Sequence, residues 1–180
     1  VQGKIQTEGI LNVRPGITEV RCWGLTGHSV AEYTTQFQDR VEVKVCDSVM
    51  AAVDGADIIV TATPAIHPLI MGAYLKPGVH INAMGADTKG KSELDVSVLD
   101  IADVFTDDLH QSRTIGELQK KPDKTAIEIG NVLLGNASAR QREEQITVFD
   151  STGIALQDLT TAELALHIAQ ERGLGTILHW

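Results

Sequence analysis

The sequence predicts an α/β fold built on a parallel β-sheet. Short strand-like runs alternate with helical patterns along the 180 residues, which is the arrangement of repeated βαβ units. One of these runs, residues 57–62, is almost continuously apolar, as in strands that helices cover on both faces of a parallel sheet, and residues 79–83 form the next predicted buried strand. A chain of this length can bury one sizeable core, so we expect one domain over residues 1–180.

Hydrophobic spacing and turn signals predict the individual elements in order. The expected elements are a helix over residues 1–13, a strand over 19–23, a helix from 29, a strand over 41–45, a short helix over 47–53, strands over 57–62 and 79–83, a short helix around 97–101, a strand over 103–106, a helix over 128–134, a strand over 146–149 and a helix over 160–172. Arg14-Pro15-Gly16 ends the first helix, and Ser29 with Glu32 forms a capping box for the second. Gly55 ends the third helix.

Composition narrows the classes of partner and site. The chain carries 15 Lys and Arg residues against 24 Asp and Glu residues, a formal net charge of −9. This balance argues against nucleic acid or an anionic membrane as a partner, and no apolar run approaches the length of a bilayer span. Because Cys22 and Cys46 form no Cys/His cluster, we expect no metal site and a reducing, cytoplasmic setting. The alternative for the cysteines is a disulfide between adjacent strands.

Small and hydroxyl residues follow four of the predicted strands. These strand ends are Gly24-Leu25-Thr26-Gly27, Thr61-Ala62-Thr63-Pro64, Met84-Gly85-Ala86-Asp87 and Asp150-Ser151-Thr152-Gly153. In open parallel sheets, ligands bind beyond the carboxyl ends of the strands, and glycines there allow a ligand to approach the backbone closely. The pattern therefore indicates a nucleotide that lies across one edge of the sheet.

Three long motifs extend this expectation to a family. Residues 78–95 (GVHINAMGADTKGKSELD), 128–135 (EIGNVLLG) and 146–158 (ITVFDSTGIALQD) together resemble the ornithine cyclodeaminase/mu-crystallin family, and the resemblance covers essentially the whole chain. The family includes ornithine and lysine cyclodeaminases, archaeal alanine dehydrogenase and ketimine reductases. The resemblance implies a Rossmann-type doubly wound sheet that binds NAD or NADP, and a small amino acid or cyclic imine as substrate.

The resemblance favours ornithine cyclodeaminase activity, in which L-ornithine becomes L-proline and ammonia through hydride transfer and a cyclic imine. Alanine dehydrogenase and ketimine or pyrroline-2-carboxylate reductase are the alternatives among enzymes. A non-catalytic, NADPH-binding crystallin-like protein is the alternative outside them. Asp87 argues against this last alternative, because mu-crystallin relatives depart from Gly-Ala-Asp at this place.

Asp87 is the residue to which the resemblance assigns the chemistry. An amino acid loses an amine proton as hydride leaves its α-carbon, and a nearby carboxylate can accept or return that proton. Without the resemblance, Asp87 is a loop residue that caps a turn. By position in the motifs, the resemblance implies cofactor contacts from Val1, Gln2, Gly24, Thr26, Thr61, Met84, Gly85, Ala86, Lys91 and Ser151, and a substrate contact from Thr152. It also matches Gly116-Glu117, for which we expect a structural role.

Cofactor preference stays open at the first strand end. NAD-preferring relatives often carry an acidic residue at Gly24, and NADP-preferring relatives place an Arg beside it. Here Gly24-Leu25 neither repels nor clamps a 2′-phosphate, although Thr26, His28 and Ser29 are potential donors to one.

The resemblance further implies that the chain lacks the first strand of the Rossmann sheet and an N-terminal domain that supplies a homodimer interface. The first strand of a doubly wound sheet is central, so its absence leaves two unpaired strand edges. We therefore expect a split sheet, and we expect residues 154–180 to pack against the N-terminal substrate and dimerisation domain. A continuous sheet within these 180 residues would contradict this expectation.

Overall fold

A computed structural model describes residues 1–24 and 26–178, so Leu25 at the first predicted strand end, His179 and Trp180 lie outside the described residues. The helices are α1 (Gln2–Val13), α2 (Gly27–Phe37), α3 (Val49–Val53), α4 (Val96–Ile101), α5 (Leu109–Ile115), α6 (Ile129–Leu133) and α7 (Ala155–Glu171). The strands are β1 (Glu19–Cys22), β2 (Glu42–Val45), β3 (Ile58–Thr61), β4 (His80–Ala83), β5 (Asp103–Thr106), β6 (Ala126–Glu128) and β7 (Thr147–Asp150). Two 3₁₀ turns span Gly72–Tyr74 and Glu117–Lys120.

The strands form two separate parallel sheets. Strands β1 and β2 pair with each other, and the other five pair in the order β3-β4-β7-β5-β6. The predicted α/β fold with parallel strands is confirmed, and the described residues contain no continuous sheet that joins β1 to β3. In the five-stranded sheet, the last residues of the strands stand in one row, in the order Thr61, Ala83, Asp150, Thr106 and Glu128. This row is the carboxyl edge of the sheet.

The main core packs the five-stranded sheet against α4 and the second 3₁₀ turn. Its central members are the strand residues Ile59, Ile81, Val104 and Val148, together with Val98 and Leu99 of α4 and Leu118 of the turn. Each is less than a tenth exposed. Burial of each aliphatic side chain stabilises the fold by roughly 1.5–3 kcal/mol. The core therefore holds α4 and the second 3₁₀ turn in place against the sheet.

Helix α1 connects the two sheets. Its Thr7 hydroxyl lies 2.6 Å from the Tyr33 hydroxyl of α2, a helix that packs against β2 of the first sheet. On the other side, the Asn82 amide of β4 donates to Gln6 at 3.5 Å. Helix α1 therefore contacts α2, which packs beside the first sheet, and β4 of the second sheet.

Several predicted boundaries differ from the structure. Helix α2 begins earlier than expected, because Thr26 caps it by accepting from Ser29 N at 3.3 Å. The predicted capping box at Ser29 is therefore wrong. Helix α7 begins at Ala155, five residues before the predicted start at 160.

The predicted list also missed α5, β6 and the second 3₁₀ turn. Helix α5 (LHQSRTI) is short and largely polar, so it shows no apolar stripe, and Asp108 caps it by accepting from Gln111 N at 2.7 Å. Strand β6 has three half-buried residues at the edge of the sheet, which is too short for an alternating pattern.

Candidate functional site

The carboxyl edge of the five-stranded sheet brings three predicted strand ends together. Met84 N donates to Thr61 O at 2.9 Å, and Ser151 N donates to Ala83 O at 3.0 Å, so the ladder continues one residue past β4 and β7. The segments that follow β3, β4 and β7 therefore emerge side by side, and they include the predicted site residues Thr61, Met84 and Ser151.

Asp87 lies at the exposed end of the β4 segment and forms an ion pair with Lys91. The Lys91 ammonium lies 2.6 Å from Asp87 Oδ1, and the Thr88 hydroxyl donates to the same oxygen at 3.0 Å. The Asp87 side chain is 51% exposed. The Lys91 ammonium holds the pKa of Asp87 below its usual range, with the Thr88 hydroxyl acting in the same direction. Asp87 is therefore a carboxylate near neutral pH, the form that accepts a proton.

Gln119, on the second 3₁₀ turn, holds the Asp87–Lys91 turn from behind. Gly90 N donates to Gln119 Oε1 at 2.8 Å, and Gln119 Nε2 donates to Lys91 O at 2.9 Å. Gly90 has a φ of +92°, a conformation that glycine adopts without strain. The sequence gives no signal for Gln119, because its contact with the turn depends on the packing of an unpredicted element.

Buried Glu93 joins the segments that follow β3 and β4. Its Oε1 accepts from Thr63 N at 2.6 Å and from the Thr63 hydroxyl at 2.7 Å, while its Oε2 accepts from Gly85 N at 2.8 Å. A Cβ on Gly85 would lie closer than 3.0 Å to the Glu93 carboxyl group and to Thr63 O. Gly85 is therefore required by this close packing rather than by a positive φ.

Two further carboxyl groups lie behind Glu93. Glu117 accepts from Glu93 N at 2.7 Å and Leu94 N at 3.2 Å. Asp150, at the end of β7, accepts from Glu117 N at 2.9 Å and from the Ser112 hydroxyl. Burial raises the pKa of Glu117 to about 7, and the Asp150 charge acts in the same direction. Burial likewise raises the pKa of Asp150 to about 6. Glu117 thus has the structural contacts that we expected of it.

Asp107, directly after β5, organises the segment that follows β7. Its Oδ2 accepts from the Ser151 hydroxyl at 3.0 Å and from Gly153 N at 2.7 Å, and its Oδ1 accepts from Thr152 N at 3.2 Å and from the Thr152 hydroxyl at 3.1 Å. Ser151 and Thr152, the predicted cofactor and substrate contacts, therefore donate to Asp107 in this structure. Their hydroxyl oxygens keep lone pairs that can accept from a ligand.

The other predicted residues of the β3 and β4 segments differ in exposure. Thr61 is buried, and its hydroxyl has no hydrogen-bond partner among the described residues. Ala86 and Gly85 are buried, whereas Met84 is half-buried. Among these predicted residues, Asp87 is exposed and Met84 is partly exposed.

The remaining predicted cofactor contacts lie on other elements. Gly24 follows β1, where a Cβ would lie 3.0 Å from Val30 Cγ2, and Thr26 is the exposed N-cap of α2. Val1 and Gln2 are exposed at the amino-terminal end of α1. The structure places these four at the first sheet and at α1, apart from the row that carries Thr61, Met84 and Ser151.

Within residues 1–24 and 26–178, no group of three His, Cys, Asp or Glu side chains could hold a metal ion. In the same residues, no helix is long and apolar enough to cross a membrane. Cys22 and Cys46 are both free. His80 lies within hydrogen-bond distance of Thr147 Oγ1, at 2.8 Å, and of Asn82 Oδ1, at 3.0 Å.

Sequence reasoning missed Glu93, Gln119, Asp107 and Thr63 as parts of the site. Glu93 and Asp150 stand inside two of the motifs quoted above, so their positions were visible, but nothing in the sequence distinguishes a buried carboxylate from an exposed one. Only the packing of the 3₁₀ turn against the segment after β4 brings Glu117 to Glu93.

Comparison with known proteins gives one family over nearly the whole chain. The description "Ornithine cyclodeaminase/mu-crystallin family" matches residues 1–172. Alanine dehydrogenase of Archaeoglobus fulgidus is 34% identical over 169 residues, which cover 89% of this chain and 52% of that protein. Ornithine cyclodeaminase of Agrobacterium fabrum is 33% identical over 165 residues, covering 89% of this chain and 46% of that protein. The chain therefore spans about half the length of these curated relatives.

A solved structure shows the same arrangement of elements. An archaeal alanine dehydrogenase dimer with bound NAD superposes with a TM-score of 0.93 and 32% identity, over 99% of this chain and 57% of that chain. The α/β architecture described above is therefore shared with a protein that holds NAD.

Proposed function

Because this chain belongs to the ornithine cyclodeaminase/mu-crystallin family, we propose that it forms the NAD(P)-binding part of an enzyme that acts at the α-carbon of a small amino acid or its cyclic imine. The observation that carries the proposal is Asp87, an exposed and ionised carboxylate at the carboxyl edge of a parallel sheet, in the segment after β4. Ligands of open α/β sheets bind beyond this edge.

The residues present fit a dinucleotide. The segments after β3, β4 and β7 emerge together, the Thr61 hydroxyl is a buried polar group without a partner among the described residues, and Lys91 supplies a positive charge. Met84, Gly85 and Ala86 would contact the cofactor through their backbone, with Ser151 beside them and Gly24, Thr26, Val1 and Gln2 contributing from the other elements. The nicotinamide, when bound, supplies the hydride acceptor or donor.

Asp87 has a defined task in this proposal. As hydride leaves the α-carbon of an amino acid, the amine nitrogen gives up a proton, and the Asp87 carboxylate accepts it; in the reductive direction Asp87 returns it. Lys91 keeps Asp87 ionised, so the carboxylate also attracts the substrate ammonium group. Thr152 lies on the segment after β7 and would contact the substrate.

Our leading candidate for the reaction is ornithine cyclodeamination, L-ornithine to L-proline and ammonia, supported by the relative from Agrobacterium fabrum. A second candidate is oxidative deamination, supported by the relative and the solved structure named alanine dehydrogenase. Reduction of a cyclic ketimine and NADPH binding without catalysis are the remaining alternatives.

Product analysis separates these reactions. With ornithine and a catalytic amount of NAD⁺, a cyclodeaminase releases ammonia and proline without net NADH, whereas a dehydrogenase given alanine accumulates NADH in step with ammonia. A ketimine reductase consumes NAD(P)H on a cyclic imine. Binding of NADPH without turnover on any of these compounds would refute the enzymatic proposal. NAD and NADP are to be tested side by side, because the preference is open.

The expectation that residues 154–180 pack against a further domain, which also forms a homodimer, stays a prediction. Four leucines of α7, Leu156, Leu159, Leu164 and Leu166, are each 59–64% exposed, which agrees with a helix whose apolar side chains are covered in the assembled protein.

A further inference from the structure

Glu93, Glu117 and Asp150 form a buried series that we call the carboxylate cluster. Each is fully buried. The backbone N–H of Glu93 donates to Glu117 at 2.7 Å, and the backbone N–H of Glu117 donates to Asp150 at 2.9 Å. Asp150 therefore holds the backbone of Glu117, and Glu117 holds the backbone of Glu93. Movement of one member changes the position of its neighbour.

The cluster ends at the proposed cofactor platform. Glu93 is the member that reaches Thr63 and Gly85, with donor–acceptor distances of 2.6–2.8 Å. Gly85 lies two residues before Asp87. The backbone that would contact the dinucleotide is thus held by Glu93, which is held in turn by Glu117.

The cluster contains no balancing cation. Among residues 1–24 and 26–178, no ion pair involves Glu93, Glu117 or Asp150. The charged groups that face Glu117 are Glu93, from the segment after β4, and Asp150, from β7; Asp107, after β5, acts on Asp150. All of these are acidic. Three buried and unpaired negative charges are costly, so such sites retain protons.

The contacts of Ser92 leave a place for one proton on Glu117, whose Oε2 also accepts from Leu94 N at 3.2 Å. Ser92 Oγ lies 3.0 Å from Leu94 O and 3.1 Å from Glu117 Oε2. A serine hydroxyl has one hydrogen and can donate to only one of these acceptors. If Ser92 donates to Leu94 O, the contact with Glu117 is a hydrogen bond only when Glu117 Oε2 carries the proton and donates to Ser92 Oγ. A protonated Glu117 therefore satisfies both contacts.

We propose that protonated Glu117 is a positioning residue, which through Glu93 holds the Thr63 and Gly85 backbone in the arrangement that binds the dinucleotide. This inference rests on the proposed cofactor binding. Loss of the proton adds a negative charge to the carboxylate cluster and removes the donor to Ser92. Dinucleotide affinity therefore falls as pH rises through the titration of Glu117, while the nicotinamide and phosphate chemistry of the ligand is unchanged.

The test compares wild type, Glu117→Gln and the control Glu163→Gln in the full-length protein between pH 5.5 and 8.5. Gln has nearly the same size, can donate to Ser92 and can accept from Glu93 N, and it does not titrate; its Nε2 cannot accept from Leu94 N as Glu117 Oε2 does. Glu163 is exposed on α7. We measure NADH and NADPH dissociation constants by fluorescence, and the infrared C=O band of protonated carboxylic acid without any cofactor.

Wild type and Glu163→Gln should lose affinity above the midpoint by up to about tenfold per pH unit, as expected for one linked proton. Glu117→Gln should keep the low-pH affinity across the range and lack one infrared band, which in wild type disappears as pH rises. If Glu117→Gln does not fold, the wild-type affinity profile and its infrared titration must still share one midpoint.

An affinity profile that is flat in wild type, or unchanged in Glu117→Gln, overturns the positioning role alone. Absence of any NADH or NADPH binding from pH 5.5 to 8.5 refutes the proposed function, and the positioning role with it. The infrared band distinguishes these outcomes from a misfolded protein, because it reports the buried proton without ligand.

Discussion

Replacing Glu117 with Gln should change how the free energy of unfolding depends on pH. The side chain is fully buried, and burial raises its pKa from 4.5 to about 7. In the unfolded chain the same group titrates near its ordinary value. At about 1.4 kcal/mol per pKa unit, the wild type loses about 3 kcal/mol from this group between pH 4.5 and pH 7.

The sign follows from the direction of the shift. A folded-state pKa above the unfolded value means that the folded state binds the proton more tightly. The contribution of Glu117 is therefore complete below pH 4.5 and is lost as pH rises through about 7. His80 acts in the opposite direction, because burial lowers its pKa below 6.5 in the folded state. The unfolded chain therefore binds that proton more tightly, and the folded state loses stability as pH falls. His80 is present in both proteins and cancels in the difference, whereas Asp150, whose charge acts on Glu117, contributes to the same pH-dependent difference.

Urea unfolding at pH 5.0, 6.0, 7.0 and 8.0 measures this difference. Relative to Glu117→Gln, the wild type should lose about 3 kcal/mol of unfolding free energy from the lowest to the highest pH. Glu163→Gln, with its exposed side chain, should follow wild type throughout. Parallel pH curves for wild type and Glu117→Gln would refute the buried proton on Glu117.

Two further substitutions test the contacts around the site. Gly85→Ala should lower stability by about 1–3 kcal/mol, because its Cβ would overlap Thr63 O and the Glu93 carboxyl group. Gly9→Ala, the control in open space on α1, should instead raise stability by about 0.5–1 kcal/mol. Equal urea midpoints for the two variants would contradict the close packing at Gly85. Asp107→Asn should cost about 1–3 kcal/mol, since an amide cannot accept all four hydrogen bonds from Ser151, Thr152 and Gly153. Asp123→Asn, in an exposed loop, is the control, and a matching urea midpoint would show that Asp107 does not hold that segment.

The sequence predicted the central strands because their burial leaves a local trace. Residues 58–61 are a nearly apolar run and residues 80–83 alternate between polar and apolar side chains, and both are strands in the structure. Strand β6 and α5 leave no such trace, since β6 has three residues and α5 is polar. The start of α2 was misplaced because Thr26 and Ser29 are both good capping residues, and only the backbone conformation selects Thr26.

The candidate site was predictable where its residues leave a trace in the local sequence. Strand ends rich in glycine and hydroxyl residues indicated the carboxyl edge, and the assignment of Asp87, which the resemblance implies, stays a prediction. The ion pair between Asp87 and Lys91 was not predicted, because the two residues lie in a turn and not on a helix. The carboxylate cluster was not predictable, because Glu93, Glu117 and Asp150 are 24 and 33 residues apart and meet only after the 3₁₀ turn packs behind the sheet.

The rate of hydride transfer in Asp87→Asn tests the central claim most directly. Asn keeps the size of the side chain but cannot accept the amine proton, so single-turnover hydride transfer should slow by about 10²–10⁴ on whichever of ornithine, alanine or cyclic imine the wild type converts. NADH affinity should stay within about threefold, because the backbone that would contact the dinucleotide is held by Glu93 and not by Asp87. Hydride transfer at the wild-type rate in Asp87→Asn would contradict the assignment of Asp87 as the acid/base.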